Sequence, residues 1–204
     1  MNPLNPLNAF DERDIADDGV CYPSSDGRPI AEGDVHRIEM LEYGLDVLRN
    51  HFGDRPDVYI SSNNFLYYRR GDPEKRVSPD LYVVFGVSSG SRDRFLLWKE
   101  GPAPAFVLEV SSMMTLPEDL GEKMEIYRDE LQVPEYFVFD PREEWLPGHL
   151  RGYVLRDRNL DRISPLPSGR LPSRSLGLEL GVAAGHIRFF RPGESAPLET
   201  TFEA

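Results

Sequence analysis

Cysteine is almost missing from this sequence. Cys21 stands alone, which excludes a disulfide framework and a zinc site built on thiolates. Long apolar runs are missing too, so no segment reads as a membrane span. The opening MNPLNPLNAFDERD has neither the basic start nor the apolar core of a secretory signal, and the expected compartment is the cytoplasm. His36, His51, His149 and His186 have no metal-ligand spacing. Neither a P-loop nor a dinucleotide-binding glycine fingerprint occurs, which leaves nucleotide hydrolysis and hydride transfer without support.

Positive charge is also scarce: 23 Lys and Arg face 35 Asp and Glu, a net charge of −12. Residues 1–54 carry 12 acids and 4 bases and residues 100–143 carry 11 and 3, whereas residues 55–99 carry 5 and 8 and residues 144–204 carry 7 and 8. Such a chain cannot rely on bulk attraction to nucleic acid. A polyanion would have to be met by one of the two less acidic blocks, with Arg69, Arg70, Lys75 and Arg76 foremost, and with metal ions helping.

What is present is the composition of a globular chain, 40% hydrophobic and 11% aromatic over 204 residues, enough for one domain with its own core. Residues 1–22, without periodicity, read as a loose arm, residues 23–192 as the domain and residues 193–204 as a tail. From Asp34, the positions Ile38, Leu41, Leu45, Leu48 and Phe52 recur at helical steps, with Gly53 as the stop. Short β-rich runs follow at 57–62, 65–70, 80–87, 95–98 and 105–112, separated by Gly, Pro and Asp. Thr115 and Glu118 have the spacing of a capping box, and Leu120, Met124, Tyr127 and Leu131 form one stripe of a second helix ending near Gln132. A strand at 135–140 and C-terminal hairpins, with turns at 156–161 and 181–185, complete the order. The expected fold class is α/β (α+β), a mixed central sheet flanked by helices with extra C-terminal hairpins.

Glu109 is the most informative residue. It sits in Ala105-Phe106-Val107-Leu108-Glu109-Val110, an apolar run of the kind that forms a central strand, where a carboxylate needs a compensating partner or a proton. An isolated strand Glu commonly pairs with a base or faces solvent at an edge. Asp80 opens the strand DLYVVFGV after Ser-Pro; alone it reads as a turn residue, but a neighbouring strand would bring it to Glu109, and two such acids repel unless a divalent cation lies between them. Asp119, Lys123 and Tyr127 follow at four-residue steps on the second helix. Taken alone, Asp119 and Lys123 are a solvated ion pair of little consequence for stability. Because their helix directly follows the Glu109 strand, Lys123 can also point at a metal-bound water or a phosphate.

With these residues in place, the segments DGRPIAEGDVH, SPDLYVVFGV, WKEGPAPAFVLEVSS, the spaced T…D…K…Y, VPEYFVFDP and LGLEL together resemble the Uma family of putative restriction endonucleases, a branch of the PD-(D/E)XK nuclease-like superfamily. The resemblance runs from about Asp26 to Phe190. It implies a restriction-endonuclease-like fold in which Asp80 and Glu109 take the places of the two motif acids and hold Mg²⁺ or Mn²⁺. The lysine of the motif is absent, since position 111 is Ser, which nominates Lys123 as the third catalytic residue, with Lys99 as the fallback. The implied activity is metal-dependent hydrolysis of DNA phosphodiester bonds, with DNA as the partner, no membrane, and a homodimer left open. The alternative is a binding or assembly protein of the same fold with a structural or vestigial acidic site.

Two other patterns carry less. Gly86-Val87-Ser88-Ser89-Gly90 matches the serine-hydrolase elbow, with Asp140 and His149 or His186 downstream, but the elbow needs a helix directly after the serine and the following residues read as a turn and a strand. His36 and Glu39 lie on the first helix, where Glu39 is either an extra acid of the site or part of a solvated face.

Overall fold

The computed structural model describes residues 14–25, 35–53, 55–112 and 115–203, with the side chains of 35–37 left aside. The first helix, α1 (Val35–Phe52), ends at Gly53, whose φ of 56° supplies the left-handed residue that closes a helix; Asp34, the expected cap, lies outside the described residues. The buried face of α1 is Met40, Leu41, Tyr43, Val47 and Leu48, with Leu45 and Phe52 partly covered, while Ile38 is 48% exposed. The stripe is therefore rotated by about one position from the expected one, because the C-terminal strands cover Tyr43.

Six strands form the central sheet in the order β1 (Val58–Ser61), β4 (Leu81–Phe85), β6 (Phe106–Val110), β7 (Glu135–Phe139), β8 (Leu150–Arg156), β9 (Asn159–Arg162). Pairing is antiparallel except between β6 and β7, which run parallel. That one parallel pair needs a crossover, and residues 111–134 supply it. Short strands β2 (Phe65–Tyr67), β3 (Arg76–Val77) and β5 (Arg94–Leu96) make a second small sheet, and β10 (Leu171–Ser173), β11 (Leu178–Ala183) and β12 (His186–Phe190) a third. Residues 95–98 depart from expectation: β5 ends at Leu96 and Leu97–Glu100 form a helical turn, α2.

Strand alternation sorts the core into two layers. Leu81, Val83, Phe106, Leu108, Val110, Phe137 and Phe139 face α1 and the C-terminal strands. Tyr82, Val84, Val107, Tyr136 and Val138 face the crossover residues Tyr127, Leu131 and Val133 and the β2–β3–β5 sheet. With α1 on one face and the crossover on the other, β4, β6 and β7 are covered on both sides, which is why their sequences are continuously apolar.

The crossover is not one helix. It consists of α3 (Leu116–Asp119), α4 (Glu122–Glu125) and a π-helical turn (Ile126–Glu130), broken at Gly121. Thr115 makes no capping bond to the helix; its hydroxyl oxygen instead accepts from the Ser112 N–H at 2.9 Å. The expected stripe nevertheless points inward, since all four of its residues pack into the same core layer.

Both ends of the described chain are docked. Asp14–Ser25 packs on the small sheet through Tyr22, fully buried against Tyr67 and Trp98, and through an ion pair of Asp14 with Arg94 at 2.6 Å, so of the arm expected over residues 1–22 the described part, from Asp14, is docked. In the tail, Leu198 packs on the core, Tyr43 Oη donates to its carbonyl at 3.0 Å, and the Thr201 N–H donates to Asp46 at 2.6 Å. Among the described residues no helix is long and apolar enough to cross a membrane.

Candidate active site

Register brings the two acids together. Leu81 pairs with Leu108 across the antiparallel β4–β6 ladder, so Asp80 stands opposite Glu109, and residues opposite each other point to the same face. That face is the one covered by the crossover. Glu109 is fully buried and Asp80 1% exposed. Asp80 Oδ2 accepts the Val110 N–H at 2.7 Å. Glu109 accepts at both oxygens, from Tyr127 Oη at 2.5 Å and from Lys123 Nζ at 3.0 Å.

Lys123 has a second carboxylate, Asp119 Oδ1, at 2.9 Å, and Ser111 Oγ donates to the other oxygen of Asp119 at 2.7 Å. The solvated Asp119–Lys123 pair of the sequence reading is thus corrected: Asp119 is 1% exposed and the Lys123 side chain 14%. The reason is the break at Gly121 and the π turn, which lay this face of the crossover against the sheet. Ser111, in the place of the absent motif lysine, reaches the ammonium through Asp119. Tyr136 Oη donates to the Asp119 carbonyl at 2.7 Å, holding the end of α3 on β7. The role of Tyr136 escapes a reading of the sequence, since no local spacing connects it to Asp119, and that of Ser111 depends on the crossover folding back over its strand.

Electrostatics follow from this packing. Burial first, and then the Asp80 carboxylate, push the Glu109 carboxyl up to about 8, while Lys123 and the Tyr127 hydroxyl pull it down. Burial alone would lower the Lys123 ammonium, but Glu109, Asp119 and Asp80 outweigh it and hold the group above its ordinary value. Burial raises the Tyr127 phenol well above its usual range, with Glu109 adding to the shift.

Two of the other buried carboxylates are arranged differently, and Asp14 and Glu179 each pair with one arginine. Glu135 accepts from Ser173 Oγ and from the N–H groups of Arg174 and Ser175; Asp140 accepts from the N–H groups of Arg142, Trp145 and Leu146. Each closes a loop with main-chain donors. Glu109 and Asp119 instead hold one ammonium between them, with Asp80 opposite Glu109 on the neighbouring strand.

The remaining candidates lie elsewhere. Lys99 pairs with Asp17 at 3.1 Å. Glu39 is exposed on α1, beyond the opposite face of the sheet, beside His186 and Arg188 in a groove of about 340 Å³; the His36 side chain lies outside the described residues. Ser88 Oγ accepts from Arg92 at 2.9 Å in a loop leading to β5, and His149 Nε2 lies 3.4 Å from Glu143, so no serine-hydrolase triad forms. Arg69 pairs with Glu130, Arg70 with Asp18, and Arg76 sits over the Phe65 ring, the two ion pairs being exposed to solvent.

A family model described as Uma2, putative restriction endonuclease, matches residues 14–184. The chain belongs to the Uma2 family. Among solved structures it is similar to a putative nuclease belonging to DUF820 from Anabaena variabilis, at 15% identity and a TM-score of 0.50 over 75% of this chain and 81% of that one. At that identity the likeness carries the fold, and the mixed α/β architecture of this Uma2 member is the nuclease-like one. No protein of curated function matches the chain.

A divalent cation is what a nuclease-like fold implies, and the donor chemistry fits one. Carboxylate oxygens suit Mg²⁺ and Mn²⁺, and each Glu109 oxygen keeps a lone pair beyond the bond it already accepts. Among the described residues no three His, Cys, Asp or Glu side chains form a cage for a metal. An ion would therefore rest on Asp80 and Glu109, with water and substrate oxygens completing its shell, the usual manner of holding Mg²⁺.

Proposed function

We propose that this Uma2 protein is a metal-dependent endonuclease that hydrolyses DNA phosphodiester bonds, with Asp80 and Glu109 as the ligands of Mg²⁺ or Mn²⁺ and Lys123 as the catalytic cation. The observation that carries this reading is the cluster itself: Asp80, Glu109 and Asp119 are almost removed from solvent between sheet and crossover, with the Lys123 ammonium held by Glu109 and Asp119. Acids gathered this closely away from water are costly to a scaffold, whereas a divalent cation makes their proximity favourable.

When bound, the ion supplies a water of lowered pKa and a positive centre for the charge that develops on the phosphodiester. The chain's own groups do the rest. Asp119, fixed by Ser111 and by the Tyr136 bond to its carbonyl, holds the Lys123 ammonium from one side, and Glu109 holds it from the other. A cation set in place this way stabilises developing negative charge without reorganising. Tyr127, neutral across the physiological range, donates to Glu109 and fixes the plane of its carboxylate.

Calorimetry with Mn²⁺, paired with Mg²⁺-dependent nicking of plasmid DNA by protein freed of contaminating nucleases, tests this. The wild type is expected to bind the ion and nick; Asp80→Ala and Glu109→Ala are expected to lose both. Unchanged metal binding in either variant removes that residue from the site. A wild type that binds the ion yet never cleaves DNA is instead the binding or assembly module.

A further inference from the structure

The row of residues that begins with Asp80 and Glu109 continues across the sheet. Glu109 pairs with Val138 in the parallel β6–β7 ladder, and Val138 pairs with Arg151 in the antiparallel β7–β8 ladder. Strand alternation confirms the face. Gly152 meets Phe137 of the α1 layer, whereas Tyr153 and Val138 belong to the crossover layer, so Arg151 points to the same side as Glu109. Two strand spacings separate them, on the order of 10 Å.

Arg151 is partly buried, and its Nε–H is buried without a hydrogen-bond partner. Among the described residues no acid pairs with it. Four other partly buried cations of this acidic chain have a carboxylate, Arg92 with Glu100, Arg94 with Asp14, Lys123 with Glu109 and Asp119, and Arg170 with Glu179, while Arg188, which has none among the described residues, lies over the Tyr43 ring away from the site. A guanidinium half removed from water with no anion is unfavourable unless an anion arrives, and its planar fork matches a phosphate at two oxygens. The acids of the site repel a polyanion, and the expected contacts Arg69 and Arg70 lie outside this row, in exposed pairs with Glu130 and Asp18. An unpaired arginine in line with the acids supplies what is lacking.

We propose that Arg151 is the substrate anchor of this site, binding a backbone phosphate of the nucleic acid beside the one that is cleaved. The proposal rests on the nuclease reading above. As a contact made alike before and during reaction, it contributes uniform binding, so its loss raises KM and leaves kcat nearly unchanged, the opposite of losing Lys123.

Fluorescence anisotropy of a short labelled duplex, with Ca²⁺ in place of Mg²⁺ and salt varied from about 50 to 200 mM, tests it. Arg151→Ala is expected to bind about tenfold or more weakly at low salt and to lower the slope of log affinity against log salt by about 0.9, one phosphate contact. Its melting temperature should match wild type. If the alanine protein does not fold, Arg151→Gln, which keeps a donor and loses the charge, carries the same expectation. A wild-type salt slope in the folded variant overturns the anchor and leaves the nuclease reading intact. A wild type that neither binds nor cleaves duplex or single-stranded DNA removes both.

Discussion

Lys123 is held at 3.0 Å by Glu109 and at 2.9 Å by Asp119, so replacing it has consequences for stability that an exposed ion pair would not have. Lys123→Met leaves two buried carboxylates facing each other and Asp80. We expect a loss of about 3–5 kcal/mol in the metal-free protein, the range for breaking a buried pair, read from urea denaturation, with saturating Mn²⁺ recovering part of it. A cost of a few tenths of a kcal/mol, as for an exposed pair, would show that solvent reaches this cluster. Glu109 adds a pH dependence. Its folded-state value, raised to about 8, lies above the unfolded value, so the native state holds this proton more tightly; the resulting stability is full below about 4.5 and is lost as pH rises through about 8. The raised Lys123 value acts only above this window. Metal-free protein is expected to become less stable from about pH 5 to about pH 8, and Glu109→Gln to flatten that fall. An equally steep fall in the Gln variant would assign it to other groups.

Among the elements, the crossover decides the site. Asp119, Lys123 and Tyr127 are spaced for one face of a regular helix, yet they occupy α3, α4 and the π turn in succession. Gly121 permits the break: a Cβ there would stand 2.6 Å from the Pro117 carbonyl oxygen, and a backbone atom cannot yield as a side-chain tip can. Gly121→Ala is expected to destabilise the protein by about 1–3 kcal/mol and, by moving α3 against α4, to lengthen the Asp119–Lys123 contact. Denaturation midpoints and Mn²⁺ calorimetry on this variant check both effects. Stability equal to or above wild type, as alanine's helix propensity alone would give, would mean that the break is not required. π turns of this kind occur often at functional sites, in keeping with the position of Tyr127 on one.

For the whole molecule, burial of aromatic side chains sets the alkaline limit. Of nine tyrosines, burial raises Tyr67 to about 12 and Tyr82, Tyr127 and Tyr136 well above the ordinary value. A raised phenol contributes stability below its unfolded value near 10 that is lost as pH climbs through the folded value. Spectrophotometric titration at about pH 11 is therefore expected to leave at least these four phenols silent until guanidinium is added, when they ionise together with unfolding. Full phenolate absorbance in the folded protein would mean that the crossover layer opens to solvent.

Much of this architecture is local in origin and so was legible in the sequence. Alternating and continuous apolar runs marked the strands because side-chain period and burial follow directly from residue order. Gly53 marked the end of α1 because a left-handed residue is needed there. Glu109 stood out because a carboxylate in an apolar strand must be compensated. The tertiary structure alone decided what compensates it. Register set Asp80 opposite Glu109 and Arg151 in line with both, and a one-residue slip would have turned either to the other face. The break at Gly121 turned an ordinary helical ion pair into a buried one, and the layer boundary put Glu39 on the far side of the sheet. These outcomes depend on hydrogen bonds and contacts between residues tens of positions apart, which no local pattern records.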